Sequence, residues 1–319
     1  MYSPFSTLDG LGQRSTLINH RATLMGLVGT GVTPSLTPPM HMAEARAQGM
    51  DLLFRPLDLT TLGLEPERLP EILDWAERLG FDALNITHPC KQSVIPLLDR
   101  IDPLARALGA VNTVLLTPDG RVGYNTDTTG FEGAFRGGLG GVQTNSVVLL
   151  GAGGAGSAVA DALIRVGTRL LTIVDLDAQR AEQLAQDLAE RHATAAGGPR
   201  IRGGSMGALP ELLSTADGVV HCTPVGMHDH PGIPFPAELL RPELWVADIV
   251  YRPLETQLIL AARALGCRTL DGGAMAVGQA VDTFRLVTGR DADATRMHQH
   301  FQSLVNDEEA RSETWRSQK

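Results

Sequence analysis

Four short segments bring together hydroxyl, amide, carboxylate and amine side chains. They are 35–38 (SLTP), 85–91 (NITHPCK), 111–113 (VNT) and 125–127 (NTD), and each lies where a predicted strand ends or a loop begins. Such strand ends are where α/β folds gather ligands. Taken singly, each of these residues is more often a helix cap or a turn residue. The combination predicts a pocket for a small polyhydroxylated carboxylic acid.

A glycine-rich turn stands between a predicted strand and a predicted helix. The apolar run 146–150 (SVVLL) suits a strand buried on both faces, and 151–156 (GAGGAG) follows it. In this pattern Gly151 allows the tight turn, Gly153 lets a pyrophosphate approach the backbone, and Gly156 lets helix and strand pack closely. The context favours a dinucleotide site over a plain turn. We therefore expect cofactor contacts from Gly151, Ala152, Gly153, Gly154, Ala155 and Gly156.

An acidic residue at the end of the next strand bears on the choice of cofactor. Asp175 stands 24 residues after Gly151, where a carboxylate can accept both adenosine-ribose hydroxyls of NAD. The 2′-phosphate of NADP would meet Asp175 and Asp177 as like charges. Arg180 leaves alternatives open, because it could turn toward a phosphate, stack over the adenine or lie in solvent. The sequence predicts NAD, with Asp175 and Arg180 among its contacts.

Short apolar runs alternate with helical patterns along most of the chain, which predicts an α/β fold. Strands are predicted at 24–29, 81–87, 146–150, 170–174, 218–222, 245–250 and 268–270, and helices at 40–48, 69–79, 159–166, 254–265, 274–287 and 294–304. The residues 118–120 (PDG) predict a hairpin within 110–124. The glycine-rich stretch 193–204 is interpreted as a surface loop.

The predicted elements fall into a discontinuous arrangement. The last two helices follow the final strand and must pack on something already built. We therefore predict an extension at 1–23, a substrate-binding domain made of 24–129 and 273–319, and an inserted nucleotide-binding domain with a doubly wound parallel sheet at 130–272.

Composition excludes several classes of partner. The 319 residues carry 27 Lys and Arg against 36 Asp and Glu, a net charge of -9, which argues against nucleic-acid and anionic-membrane binding. No run is long and apolar enough for a membrane span, and the N-terminus lacks the features of a signal peptide. Three scattered cysteines indicate a reducing compartment, so we expect the cytoplasm. His228 and His230 lack a partner pattern, and no metal is predicted.

Eight segments resemble the shikimate and quinate dehydrogenase family. They are Ser35-x-Thr37-Pro38-x-Met40-His41, Asn85-Ile86-Thr87-x-Pro89-x-Lys91, Gly109-Ala110-Val111-Asn112-Thr113, Asn125-Thr126-Asp127, the glycine loop 151–156, Thr223-Pro224-x-Gly226-Met227, Asp248-Ile249-Val250-Tyr251 and Gln279. The resemblance covers nearly the whole chain. It implies two domains, an N-terminal α/β substrate domain and a Rossmann NAD-binding domain.

The resemblance also implies roles for individual residues. Lys91 and Asp127 correspond to the catalytic pair, in which the lysine takes the proton of the hydroxyl that is oxidised. Burial would favour the neutral amine and an ionised Asp127 would favour the ammonium, so either group could hold that proton. The implied contacts are Ser35 and Thr37 with the substrate carboxylate, Tyr251 close to it, Thr87, Asn112, Asp127 and Gln279 with ring hydroxyls, and Thr223, Val225 and Gly272 with the nicotinamide half of the cofactor.

Three departures refine this resemblance. Thr37 stands where the biosynthetic enzymes usually have a second serine, and Asp175 and Asp177 stand where they have basic residues; both features resemble the NAD-dependent catabolic branch. His221 stands where an asparagine is common. We predict an NAD-dependent dehydrogenase that oxidises quinate and shikimate at the C3 hydroxyl. The alternatives are an NADP-dependent biosynthetic shikimate dehydrogenase and a ligand-sensing module without turnover. Substrate preference, direction and oligomeric state stay open.

Overall fold

The computed structural model describes residues 22–193, 198–227 and 230–317, and side chains up to residue 307. The predicted N-terminal extension lies outside these residues apart from Ala22 and Thr23, the second of which begins the first strand. The described chain builds two six-stranded sheets. The two sheets, and the helices that cover them, confirm the predicted two-domain α/β class.

The first sheet is mixed. Its strands are β1 (Thr23–Gly29), β2 (Leu52–Asp58), β3 (Ala83–Ile86), β4 (Arg100–Ile101), β5 (Thr113–Thr117) and β6 (Gly120–Tyr124), in the order β2-β1-β3-β5-β6-β4. β1 runs parallel to β2 and β3, whereas β5 and β6 form the predicted antiparallel hairpin. Asn85 in β3 pairs with Thr113, and Thr113 pairs with Tyr124. This register brings the ends of β1, β3 and β6 and the start of β5 to one edge of the sheet.

Helices in the described chain accompany the first sheet. They are α1 (Thr37–Ala47), α2 (Leu59–Leu62), α3 (Leu69–Arg78), α4 (Cys90–Ser93), α5 (Pro103–Leu108) and α6 (Asp127–Gly138). α3 shows why the pattern folds this way: Leu69, Ile72, Leu73 and Ala76 recur at helical spacing and are its buried residues. They join the apolar cluster that covers one face of β1, β3 and β5.

The second sheet is entirely parallel. Its strands are β7 (Ser146–Leu150), β8 (Leu170–Asp175), β9 (Arg200–Ser205), β10 (Gly218–His221), β11 (Trp245–Asp248) and β12 (Thr269–Leu270), in the order β12-β11-β10-β7-β8-β9. Its helices are α7 (Gly154–Arg165), α8 (Ala178–Arg191), α9 (Leu209–Thr215) and α10 (Gln257–Ala264). Numbered within this sheet, the order is the 3-2-1-4-5-6 arrangement of doubly wound dinucleotide-binding sheets, and its switch point lies between β7 and β10.

Two final helices, α11 (Gly272–Thr288) and α12 (Ala294–Ser317), return to the first sheet. Met40 of α1, Ala280 of α11 and Phe301 of α12 belong to one buried cluster. The Arg296 guanidinium on α12 binds both carboxylate oxygens of buried Glu44 on α1, each at 2.7 Å. These are contacts that the discontinuous domain division requires, and the division itself stays a prediction.

Several observed elements were not predicted, among them the edge strands β2 and β4 and the helices α5, α6, α8 and α9. β2 was not predicted, because Arg55 and Pro56 interrupt its apolar pattern. β9 (Arg200–Ser205) overlaps the stretch 193–204 interpreted as a surface loop, so that interpretation is wrong for residues 200–204. No helix among the described residues is long and apolar enough to cross a membrane.

Candidate active site

Lys91 and Asp127 form an ion pair at the edge of the first sheet where β3 and β6 end. The Lys91 Nζ donates to Asp127 Oδ2 at 2.7 Å, and the two side chains are 21% and 9% exposed. Lys91 lies on the short helix α4, which follows β3, while Asp127 is the first residue of α6, which follows β6. The hairpin register brings these two chain segments together.

Asn112 holds the second oxygen of the Asp127 carboxylate. Its Nδ2 donates to Asp127 Oδ1 at 2.9 Å and to Thr126 Oγ1 at 2.9 Å, and its Oδ1 accepts the Thr126 backbone N–H at 2.9 Å. Asn125 adds a further bond, because its Oδ1 accepts the Asp127 N–H at 3.0 Å. The carboxylate is therefore held by Asn112 and Lys91, one on each oxygen, and Asn125 holds the backbone of the same residue.

The position of Lys91 is set by its own backbone. The Cys90 N–H donates to the Thr87 carbonyl at 2.8 Å, and the Lys91 carbonyl accepts the Val111 N–H at 2.9 Å. Cys90 packs in the core, and burial, together with the nearby Glu67, raises the pKa of its thiol. The thiol beside Lys91 is therefore not an activated nucleophile.

Ser35 and Thr37 lie in the turn that leads from β1 into α1. The Ser35 Oγ accepts the Thr37 N–H at 3.3 Å. The preceding loop is held by Asp58, whose carboxylate accepts the N–H of Gly31 at 3.0 Å and the N–H and hydroxyl of Thr33 at 2.8 and 2.7 Å. Burial opposes ionisation of Asp58, but these hydrogen bonds outweigh it and lower its pKa. A fixed anion thus anchors the loop that carries Ser35.

His41 packs under the first turn of α1. Its Nδ1 lies 3.0 Å from the Thr37 carbonyl oxygen, so this nitrogen carries the hydrogen and donates. Its ring contacts Phe54 edge to face, with centroids 5.2 Å apart. Burial lowers the pKa of His41 to about 4, although the hydrogen bond to Thr37 opposes this effect. His41 is a fully buried, neutral support for the turn that contains Thr37.

Two predicted substrate residues lie on segments that reach this edge from other parts of the chain. Tyr251 packs near Phe301, with ring centroids 6.3 Å apart, and the next residue, Arg252, donates to the Pro34 carbonyl at 2.5 Å. Gln279 belongs to α11, and its Nε2 bonds to the Ala276 carbonyl of its own helix at 3.0 Å. The Arg252 contact joins the Tyr251 segment to the Ser35 loop.

The glycine loop lies at the switch point of the second sheet. Gly151 has φ +105°, a conformation that favours glycine, and a Cβ on Gly156 would lie 1.9 Å from the Gly151 carbonyl oxygen. α7 begins at Gly154 with Gly153 in the N-cap position, where no side chain satisfies the first N–H groups. A Cβ on Gly154 would meet nothing within 4 Å. The exposed N–H groups and the open space above them fit the phosphates of a dinucleotide.

Asp175 closes β8 beside this loop. Its Oδ2 accepts the Ala152 N–H at 2.7 Å and its Oδ1 accepts the Asp177 N–H at 3.0 Å. In the described part of the chain it makes no ion pair. The Arg180 guanidinium stands over the loop, with Nη2 3.8 Å from where a Cβ of Gly153 would be. Asp175 is thus a carboxylate at the end of β8 beside the glycine loop, and Arg180 is an exposed cation above that loop.

The three residues predicted at the nicotinamide end lie on two segments. Thr223 and Val225 follow β10, and the Val225 N–H donates to Thr223 Oγ1 at 3.4 Å. Gly272 is buried at the start of α11, where a Cβ would lie 2.5 Å from the carbonyl oxygens of Ile249 and Val250. This close approach gives Gly272 a packing reason to be glycine that does not depend on a cofactor.

The structure joins Lys91, Asn112 and Asp127 by hydrogen bonds. The Thr87 carbonyl accepts the N–H of Cys90, the residue before Lys91. The sequence reasoning missed Arg252 and His41, which act on the Ser35–Thr37 turn through a carbonyl each. The Arg252 contact joins residues 218 positions apart, so no local signal could have found it, whereas His41 bonds to a carbonyl four residues earlier in its own helix. Among the described residues no group of three or more His, Cys, Asp or Glu could hold a metal ion, and His228 lies outside them.

A parallel sheet of this strand order, with a glycine loop opening the helix after its first strand, is the architecture of dinucleotide-dependent oxidoreductases. Residues 27–114 match the family model described as the shikimate dehydrogenase substrate binding domain. The shikimate dehydrogenase (NADP(+)) of Pseudarthrobacter chlorophenolicus is 54% identical over 287 residues, which are 90% of this chain and 96% of that protein.

Two further relatives carry a different cofactor in their names. The quinate/shikimate dehydrogenase (NAD(+)) of Corynebacterium efficiens is 47% identical, over 90% of this chain and all of that protein. The solved structure of quinate dehydrogenase from Corynebacterium glutamicum in complex with NAD matches with a TM-score of 0.81 and 45% identity, over 88% of this chain and 99% of that chain. The chain belongs to the shikimate/quinate dehydrogenase family of oxidoreductases.

Proposed function

We propose that the protein is an NAD-dependent quinate/shikimate dehydrogenase that oxidises the C3 hydroxyl of both acids to the 3-dehydro products. The observation that carries this proposal is the Lys91–Asp127 pair, joined at 2.7 Å at the same sheet edge as Ser35, Thr87 and Asn112. The relatives named above act on these two acids according to their names, which supports the substrate class.

In this proposal Lys91 and Asp127 are the catalytic residues. A bound nicotinamide cofactor supplies the acceptor for the hydride that leaves the carbinol carbon. The hydroxyl proton passes to the Lys91 amine or to Asp127 Oδ2, which share one hydrogen bond. Asn112 binds the Asp127 carboxylate and Asn125 binds the Asp127 N–H, so the pair is held in a defined geometry before substrate binds.

The substrate is anionic, whereas the whole protein carries a net charge of -9. Local groups must therefore offset the overall field. Lys91 supplies one positive charge, and the hydroxyls of Ser35 and Thr37 at the start of α1 supply neutral donors. We assign the carboxylate to Ser35, Thr37 and Tyr251. The ring hydroxyls are assigned to Thr87, Asn112, Asp127 and Gln279.

The proposal of NAD as the cofactor rests on the end of β8, where the adenosine half would bind. Both Asp175 oxygens are turned to backbone N–H groups at 2.7 and 3.0 Å, which keeps the carboxylate at the loop. It can accept the ribose hydroxyls of NAD, and it would repel a 2′-phosphate. Arg180 is assigned to the pyrophosphate side of the loop. The remaining contacts are assigned to the glycine loop 151–156, Thr223, Val225 and Gly272.

Initial rates with NAD and NADP on quinate and on shikimate test this proposal directly. We expect NAD to be preferred, and Asp175→Ser to shift the ratio of kcat/KM values toward NADP by at least about tenfold, because a like charge is removed. Asp187→Ser is the matched control, since it removes an exposed carboxylate from α8, away from the loop. A wild-type preference for NADP would overturn the assignment of Asp175.

A second candidate is an NADP-dependent shikimate dehydrogenase. It is favoured by the name of the Pseudarthrobacter relative, whose identity to this chain is 54%. Arg180 is the residue that would then turn to the 2′-phosphate. Under this candidate Arg180→Ala raises the KM for NADP and leaves the KM for NAD unchanged.

A further inference from the structure

A buried chain of hydrogen bonds runs beneath the loop that follows β10. His221 and Asp248 are the last residues of the neighbouring strands β10 and β11, and they pair in register. Their side chains are fully buried, and His221 Nδ1 lies 2.9 Å from Asp248 Oδ1. On the other side of the ring, His221 Nε2 lies 2.5 Å from Thr223 Oγ1.

The direction of these hydrogen bonds follows from the donors around Asp248. Its Oδ1 accepts the Val250 N–H at 2.9 Å, and its Oδ2 accepts the Thr256 hydroxyl at 2.7 Å. A carboxylate surrounded by donors also takes the hydrogen of His221 Nδ1. In a ring with one hydrogen, Nε2 then accepts from the hydroxyl of Thr223. The Thr223 oxygen is left to accept the Val225 N–H.

Residues 223–227 form a loop above these hydrogen bonds, beside the switch point of the second sheet. A Cβ on Gly151 would lie 2.7 Å from the Cys222 carbonyl oxygen and 3.1 Å from Thr223 Cγ2, so the loop touches the start of the glycine turn. It then folds back on itself, with the Gly226 N–H donating to the His230 carbonyl at 2.7 Å. The Thr223 hydroxyl links this loop to the end of β10 through its hydrogen bond with His221.

We propose that His221 is a positioning residue for the nicotinamide end of the cofactor site. Its ring is held by Asp248 and accepts a hydrogen bond from the Thr223 hydroxyl. This bond orients the hydroxyl and, with it, the loop 223–227. This inference rests on the proposed function, because that loop is assigned there to the cofactor. It makes His221 important for the rate of hydride transfer, and it leaves binding of the adenosine half to the glycine loop and Asp175.

Four variants test this role: His221→Ala, His221→Asn, Thr223→Val and the double variant His221→Ala with Thr223→Val. The control is Thr168→Val, which removes a buried hydroxyl that has no hydrogen-bond partner among the described residues. The readouts are kcat, the isotope effect with substrate deuterated at the carbinol carbon, and the Kd of ADP-ribose, which lacks the nicotinamide.

We expect His221→Ala and Thr223→Val to lower kcat about tenfold each and to raise the isotope effect, since small misplacements of reacting groups are costly. The double variant should be no slower than the singles, because both break one path. His221→Asn should recover part of the rate, since an amide can donate to Asp248 and accept from Thr223. The Kd of ADP-ribose should stay within about twofold of wild type.

Two results would overturn the proposal. One is a kcat for Thr223→Val as high as that of Thr168→Val. The other is a loss of ADP-ribose affinity in step with kcat, which would indicate a general structural role. If His221→Ala does not fold, Thr223→Val and His221→Asn still test whether His221 positions the loop. A wild-type protein that oxidises neither acid with either cofactor would instead refute the proposed function, before any variant is compared.

Discussion

Lys91 and Lys319 are the two lysines of the chain, which otherwise carries 25 arginines. The difference matters chemically, because a lysine can release its proton within a protein and an arginine does not. Lys91 is also held in one place, through its own backbone and through Asp127. The rarity of lysine is a signal in the sequence that separates position 91 from the general positive charge of the surface.

Replacing Lys91 tests whether it accepts the proton or only supplies charge. Lys91→Ala should lower kcat by about 10²–10⁴-fold, the usual contribution of a general base. NAD affinity, measured by fluorescence titration, should change little, because the glycine loop lies on the other sheet. Lys91→Arg is the matched variant: it keeps the charge and cannot accept the proton, so it should be as inactive as Lys91→Ala. An active Lys91→Arg variant would indicate that Asp127, and not Lys91, accepts the hydroxyl proton.

The polar cluster around Lys91 was predictable because its members lie at strand ends. The segments that contain Thr87, Asn112 and Asp127 follow or precede short apolar runs, and parallel or hairpin pairing brings such ends together. The supports of Ser35 and Thr37 were not predictable in this way. Arg252 and Pro34 are 218 residues apart, and nothing in their local sequence indicates the contact.

At the level of elements, α1 depends on a buried histidine whose protonation the fold resists. Burial lowers the pKa of His41 from 6.5 to about 4, so below pH 6.5 the unfolded chain binds a proton that the folded chain does not. Stability is therefore lost as the pH falls from about 6.5 to about 4. From His41 alone, the free energy of unfolding falls by about 2 kcal/mol between pH 7 and pH 5.

His41→Gln removes this titration and keeps a donor for the Thr37 carbonyl. The variant is expected to be less stable at pH 7, and its free energy of unfolding should depend less on pH than that of the wild type by about 2 kcal/mol between pH 7 and 5. Urea unfolding at both values measures the difference. Carboxylates with lowered pKa, such as Asp58, titrate in both proteins and cancel. Equal pH dependences would show that His41 is protonated in the folded protein.

Two edge strands, β2 and β9, illustrate why element prediction failed in places. β2 contains Pro56, and proline within a strand is confined mainly to sheet edges, so its pattern resembles a loop. β9 contains Gly203 and Gly204, which indicated a loop. A Cβ on Gly203 would lie 2.8 Å from the Glu182 backbone nitrogen, so glycine is needed there for the approach of α8. Central strands such as β7 carry unbroken apolar runs and were predicted at their observed bounds.

For the whole molecule, the relation between the two sheets is set where α6 and α11 cross. α6 leads from the first sheet toward the second, and α11 returns from it. Thr128 on α6 donates to the Ala158 carbonyl of α7 at 3.1 Å, and Thr129 donates to the Asp282 carboxylate on α11. Because Asp127 begins α6, the same helix carries a proposed catalytic group and fixes the distance to the glycine loop.

Glycine at position 130 makes this crossing possible, and its replacement tests the coupling. A Cβ on Gly130 would lie 2.5 Å from the Gln279 backbone nitrogen, which must force α6 and α11 apart. Gly130→Ala should therefore lower the melting temperature and reduce kcat with quinate about tenfold or more, through displacement of Asp127 and Gln279. The Kd of ADP-ribose, which depends on the glycine loop, should change little.

Gly133→Ala provides the comparison on the same helix. A Cβ there meets nothing within 4 Å, so this variant should gain up to about 1 kcal/mol of stability from helix propensity and retain wild-type kcat. A Gly130→Ala enzyme that is as active as Gly133→Ala would mean that the cleft tolerates movement of α6. The link between the helix crossing and the Lys91–Asp127 geometry would then be wrong. Loss of kcat in Gly130→Ala alone ties the chemistry to the packing of the two sheets.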